Sequence, residues 1–162
     1  MIAALVDWGQ SIEVVILGAS PPPVLAPFGA VGAADMEMFW KVNVLGNQQL
    51  VAGVVKKILR KQKKGQILGI LSEAMGVNDP EGAASNFGAY TISKYGLLGV
   101  LKQAKGDYPW LDVKTVSPAF IQTPMLDVFD DRYLELVREA GPIASAKEVS
   151  DVIFATLGLK DV

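Results

Sequence analysis

Four side chains have types and spacings that suit proton transfer. Tyr90 and Lys94 lie in Tyr-Thr-Ile-Ser-Lys. Their i, i+4 spacing puts phenol and ammonium on one face of a helix. Ser72 follows the apolar run Gln66-Ile-Leu-Gly-Ile-Leu71, and Asn43 lies in Asn43-Val-Leu-Gly46. A nearby ammonium favours the phenolate, so Lys94 is expected to lower the Tyr90 pKa from its usual value of about 10. Such a tyrosine can pass a proton to or from an alcohol or carbonyl oxygen near neutral pH. A serine hydroxyl beside it can hydrogen-bond that oxygen and orient it. Asparagine is a poor former of helix interiors, so Asn43 inside a helical pattern predicts a kink or a water site nearby. Each signal is common alone, and the specificity lies in their order along the chain and in the elements that carry them.

Composition narrows the chemistry further. The 162 residues contain no Cys and no His. Disulfides, thiol nucleophiles, Cys/His zinc sites and Ser-His relays are therefore excluded, and no metal site is expected. A general base must be Asp, Glu, Lys or Tyr. With 17 acidic and 15 basic residues, the net charge of −2 argues against a nucleic-acid partner. The opening MIAALVDWGQ has no basic start, so it does not read as a signal peptide. Val14 to Ala34 carries no charge and is long enough to span a bilayer. Pro21, Pro22, Pro23 and Pro27 would break a helix there, so a buried strand followed by a loop is expected and a membrane span is not. These features together fit the cytoplasm.

The elements that must position the four residues follow from periodicity. Glu13–Ala19, Gln66–Leu71 and Asp112–Val116 read as strands, the first two as continuous apolar runs buried on both faces. Met36 to about Lys63 has helical spacing, with Asp35 as N-cap and Gly65 as stop. Its basic end, Lys56 to Lys64, reads as a solvated helix terminus. A second helix is expected over about 89–107, with Tyr95, Leu98 and Leu101 on its stripe. Two shorter helices follow near 130–140 and 146–157, the last begun by a Ser145-x-x-Glu148 capping box. This alternation predicts an α/β fold, a partial Rossmann-like three-layer arrangement with a short parallel sheet flanked by helices. In an open sheet of this kind the site lies at the carboxyl ends of the strands.

On these residues the chain resembles the short-chain dehydrogenase/reductases, from about Val14 to Leu157. The family's Asn-x-x-Gly resembles Asn43-Val-Leu-Gly46, its strand ending in the catalytic serine resembles Gly65 to Ser72, and its Tyr-x-x-x-Lys is Tyr90 to Lys94. Its strand leading to Pro-Gly and a threonine is similar to Val116-Ser-Pro-Ala-Phe-Ile-Gln-Thr123. The resemblance implies NAD- or NADP-dependent interconversion of an alcohol/carbonyl pair, with a small-molecule alcohol or ketone as substrate. It implies Tyr90 as acid/base, Lys94 as its partner and holder of the nicotinamide ribose, Ser72 on the substrate oxygen, and Asn43 on a relay water. Ile121 and Thr123 would meet the nicotinamide carboxamide, with Pro118 and Gly18 also on the cofactor. The short stretch after the third strand is closer to the classical branch than to the extended one.

The pattern also departs from the family. No Thr-Gly-x-x-x-Gly-x-Gly turn precedes Glu13, the Asn-Asn-Ala-Gly motif stands as Leu17-Gly18-Ala19-Ser20, and Pro-Gly stands as Pro118-Ala119. Residues 1–162 are thus expected to form one domain corresponding to the C-terminal, catalytic half of the fold. The pyrophosphate-binding turn and the residue selecting NAD or NADP would lie outside it. The Ser72–Tyr90 gap is longer than the family's, which implies an insertion. The unpaired edge of Val14-Val-Ile-Leu17 invites a second copy of the chain or a complementing chain. Two functional readings follow: an oxidoreductase that can need a partner chain to bind cofactor, or a catalytically inactive dimerisation or binding module of the same family.

Overall fold

A computed structural model of the chain describes residues 2–8 and 11–159. Three parallel strands form its centre: β1 (Val14–Leu17), β2 (Gln66–Ile70) and β3 (Asp112–Val116), in the order β1-β2-β3. The register pairs Leu17 with Gly69 and Gly69 with Thr115. Ile67 and Leu68 are adjacent on β2 and both fully buried. Because neighbouring strand residues point to opposite faces, this burial requires cover on both sides of the sheet.

Helices supply the cover. The stretch 33–62 is one long helix, α2, composed of α-helical segments Ala33–Phe39, Asn47–Val54 and Arg60–Gln62 joined by wider π-type turns at Trp40–Gly46 and Val55–Leu59. Helix α3 spans Gly88–Asp107. Val51, Val54 and Leu59 of α2 and Leu97, Leu101 and Ala104 of α3 pack on Leu17 and Ile67. On the opposite face Leu68 and Val116 meet Leu157 of the last helix. The result is the three-layer α/β arrangement that the alternation of elements predicts. Glycine permits the closest contacts. A Cβ at Gly69 would collide with Leu101 Cδ1, and one at Gly96 would lie 2.6 Å from Val44 Cγ2, so α3 sits tight against both β2 and α2.

Beyond β3 the chain forms a smaller unit over the strand tips. Strand β4 (Ile121–Gln122) pairs in parallel with β5 (Ala144–Ser145), and between them lie a 3-10 turn, Pro124–Val128, and helix α4, Asp131–Ala140. The last helix, α5, is Ala146–Leu157, and its start carries the expected capping box: Glu148 N–H donates to Ser145 Oγ at 3.2 Å, and Ser145 N–H donates to Glu148 Oε2 at 2.7 Å.

Several details differ from the sequence-based expectation. A short helix, α1 (Ile2–Trp8), stands where no element is expected, and its Ile2 faces Gly53 of α2. The rest of the opening stretch, Met1, Gly9 and Gln10, and the chain end at 160–162 lie outside the described residues. Helix α2 begins at an uncapped Gly32 with Asp35 inside its first turn, and it ends at Lys63 in the left-handed conformation (φ 54°), two residues before Gly65. On α3 the buried stripe runs through Tyr90, Lys94, Leu97 and Leu101. Tyr95 lies off it, 44% exposed, because an i, i+4, i+7 series from Tyr90 leaves position 95 on the flank. The Val14–Ala34 stretch is a strand, then a loop with a 3-10 turn at Phe28–Ala30, and it ends in the first turn of α2. Strand β1 is not buried on both faces as expected, since Ile16 is exposed on a strand with no neighbour beyond it among the described residues. No helix among the described residues is long and apolar enough to cross a membrane.

Candidate active site

The strand tips define the site. The Ser72 backbone is extended at the end of β2, and its Oγ accepts a hydrogen bond from Ala74 N–H at 3.2 Å. Glu73 N–H donates to Pro118 O at 3.0 Å, which fixes the β2 and β3 tips relative to each other. The pocket side of α3 carries Tyr90 and Lys94. Both are buried, Lys94 at 2% exposure. Ser72, Tyr90 and Lys94 all line one cavity of about 440 Å³, together with Gly18, Pro118, Ile121 and Thr123. Seven of the eight residues singled out from the sequence therefore meet at one place.

Asn43, the eighth, lies behind that wall. It is fully buried at the centre of the π-type turn of α2. Its Nδ2 donates to Ser93 Oγ at 2.9 Å and to Ser20 Oγ at 3.1 Å, and Ser93 Oγ donates to the Tyr90 carbonyl at 2.7 Å. The widened turn disturbs the regular carbonyl pairing of the helix. Asn47 compensates, its Nδ2 donating to Asn43 O at 2.9 Å and to Val42 O at 3.4 Å. Asn43 Oδ1 is buried and meets no donor among the described residues.

The electrostatics depart from the expectation for Tyr90. Burial pushes its phenol above the ordinary tyrosine value, and a hydrogen bond with Ser72 opposes that shift without cancelling it. Lys94 does not bring the phenol down. Its Nζ donates to the Ile70 carbonyl at 2.9 Å and stands 5.4 Å from the Tyr90 ring centre, over the ring. Burial in turn lowers the Lys94 ammonium to about 8. Desolvation penalises the charged form of each group, so it moves the two pKa values in opposite directions, the phenol up and the ammonium down.

Three participants escaped the sequence reading: Ser20, Ser93 and Asn47. Ser93 had a local signal, since it lies three residues after Tyr90 and therefore close to the same helical face. Ser20 and Asn47 had none, because what marks them is a partner on another segment or a departure from regular helix geometry. Tyr95, expected in the core, instead donates from its hydroxyl to Met75 O at 3.0 Å and ties α3 to the turn that follows Ser72.

With this geometry in view, comparison with known proteins is direct. Residues 1–133 match the family described as short chain dehydrogenase, and the chain belongs to that family. Among its curated relatives, the short-chain dehydrogenase anuF of Penicillium roqueforti is 28% identical over an alignment covering 74% of this chain and 49% of that protein. The 3-oxoacyl-[acyl-carrier-protein] reductase FabG of Rickettsia prowazekii is 27% identical, over 75% of this chain and 48% of that one. Among solved structures, an NAD+-bound xylitol dehydrogenase superposes with a TM-score of 0.62 at 23% identity, covering 75% of this chain and 45% of the other, a likeness of fold. The chain spans about half the length of the curated relatives it matches.

Proposed function

We propose that this chain is the catalytic half of an NAD(P)-dependent oxidoreductase that interconverts an alcohol and a ketone, residues 1–162 acting as one domain. The observation that carries the reading is the convergence of Ser72, Tyr90 and Lys94 on one cavity at the carboxyl ends of parallel strands. In the reducing direction Tyr90 gives its phenolic proton to the substrate oxygen while Ser72 hydrogen-bonds that oxygen and orients it. The raised phenol pKa keeps Tyr90 protonated at neutral pH, as a proton donor requires. The phenolate left behind is met by the Ser72 hydroxyl, whose hydrogen bond pulls the phenol pKa down. Asn43 Oδ1, a buried acceptor without a donor among the described residues, suits a water that restores the proton from behind.

A nicotinamide cofactor, NAD or NADP, would supply the hydride. The residues present fit its nicotinamide end. Gly18 keeps the β1 tip low beside Ile70, where an added Cβ would lie 3.2 Å from Ile70 Cδ1. Thr123 and the Ile121 backbone offer polar groups to a carboxamide, Lys94 offers an ammonium to a ribose, and Pro118 bounds the slot. No glycine turn after a strand offers itself to the pyrophosphate among the described residues. Cofactor binding is therefore expected to draw on a complementing chain, or on a second copy, alongside the exposed edge of β1. Ile16 on that edge is 48% exposed. An open apolar strand edge is a template for further pairing.

Isothermal titration with NADH and NADPH, followed by turnover with a ketone, tests the reading. Micromolar binding, together with turnover lost in Tyr90→Phe while the circular dichroism stays unchanged, supports it. Turnover that survives Tyr90→Phe removes Tyr90 from the mechanism. A second reading, an inactive homo-oligomeric assembly module, draws support from the exposed apolar Trp40, Val42 and Leu45 of α2 and Ile92 of α3. It predicts no cofactor binding even at millimolar concentration, and a stable dimer by light scattering.

A further inference from the structure

The lining of the cavity divides by chemistry. It includes the small and polar groups Gly18, Ser20 and Thr123. It also includes an unbroken series of rings that begins at the phenol. Phe87 packs against Tyr90 at 6.2 Å and against Phe129 at 5.8 Å, and Phe129 meets Phe120 at 5.4 Å and stacks on Tyr133 at 5.1 Å with 12° between the ring planes. Met125 and Leu126 complete that wall. Glu73 and Lys94 are the only carboxylate and ammonium lining the cavity among the described residues. Glu73 is exposed, and Lys94 already donates to Ile70 O.

Resting on the proton-transfer reading above, we propose that the site takes a neutral, predominantly apolar cyclic or aromatic ketone and the corresponding alcohol. Each alternative meets a specific obstacle. A phosphorylated or carboxylated ketone would bring an anion to rings and aliphatic groups, with the lining's one ammonium among the described residues, Lys94, buried, donating to Ile70 O and assigned above to the cofactor ribose. A polyol would bury hydroxyls against rings and a thioether, leaving donors unpaired. A flat ring bearing one carbonyl meets neither obstacle. Its oxygen reaches the Ser72 and Tyr90 hydroxyls while its ring packs in offset or edge-on contact with Phe87 and Phe129. The cavity of about 440 Å³ lies in the range of small-molecule sites, and since the nicotinamide end of the cofactor would share it, the room left suits one or two fused rings better than a long chain.

The test reads binding without turnover. 1-Tetralone, levulinate and D-xylulose are offered to the chain in calorimetry and saturation-transfer NMR. The expected result is 1-tetralone binding roughly tenfold or more tighter than either polar ketone. Met125→Lys and Ala84→Asp place a charge on the partly open rim, so their melting temperatures should hold while tetralone binding falls at least about fivefold. Equal binding of levulinate or xylulose, or tetralone binding indifferent to both variants, overturns the inference. Failure of the proton-transfer reading looks different: tetralone still binds selectively, but ketone turnover survives Tyr90→Phe.

Discussion

Asn43 donates from Nδ2 to Ser93 Oγ at 2.9 Å, joining two helices across 50 residues of chain immediately behind the Tyr90 ring. Phe39, one turn before Asn43, meets that ring edge-on at 6.1 Å. The backbone of Tyr90 is thus held from the same helix that supports its ring. Asn43→Ala removes the donor and leaves the Ser20 and Ser93 hydroxyls short of a partner. Stability should fall by about 1–3 kcal/mol, measured by urea denaturation with the slope unchanged. A fall under roughly 0.5 kcal/mol would mean that water replaces the amide at no cost.

Lys94 gives the fold a specific pH response. Its ammonium titrates near 8 when folded and near 10.5 when exposed. Between those values the unfolded chain binds the proton and the native chain does not, so stability rises with pH across that window. Burial of Tyr90 acts in the opposite sense, but only above about pH 10, where the unfolded phenol ionises first. From pH 8 to 10 the native state should gain on the order of 2–3 kcal/mol, and Lys94→Met should flatten that rise. A wild-type stability that stays level or declines over the same interval would contradict the burial of this amine.

Ser72→Ala separates the two influences on Tyr90. The serine hydrogen bond pulls the phenol down while burial pushes it up. Removing the hydroxyl should move the tyrosinate transition of Tyr90, followed by ultraviolet difference absorption against Tyr90→Phe, further above its wild-type position. A downward movement would show that the hydroxyl favours the neutral phenol.

Gly69 and Leu101 set the spacing between β2 and α3. Gly69→Ala should destabilise the chain by about 1–3 kcal/mol through overpacking. Leu101→Ala in the same chain should recover part of that loss, since the colliding atom belongs to the leucine. Additive losses in the double-mutant cycle would mean that the strand moves away from the helix as a unit.

Much of this arrangement is legible from the sequence because it is local. Strands β1 and β2 are short apolar runs, the first followed by Gly18 and the second preceded by Gly65, and helix α5 begins at its capping box. The i, i+4 spacing puts Tyr90 and Lys94 on one buried face, and the strand ending before Ser72 delivers its hydroxyl to the same cavity. The sign of the Tyr90 shift was not legible. Spacing tells that an ammonium is near, but the depth of burial and the pull of the Ile70 carbonyl on that ammonium depend on the packed sheet. The same holds for Ser20 and Asn47, whose partners come from another segment or from a widened helical turn.

The sheet register has a kinetic consequence. Val14 pairs with Gln66, and Gln66 with Asp112, so each pairing of the three-stranded sheet joins strands roughly fifty residues apart along the chain. Hairpin zippering is closed to this sheet. Segments of α2 and α3 can form from nearby contacts alone, whereas the strands must wait until those helices shorten the distance between them. Refolding speed should therefore follow the docking of α2 on α3, where Gly96 meets Val44, more closely than the helical propensity of either segment.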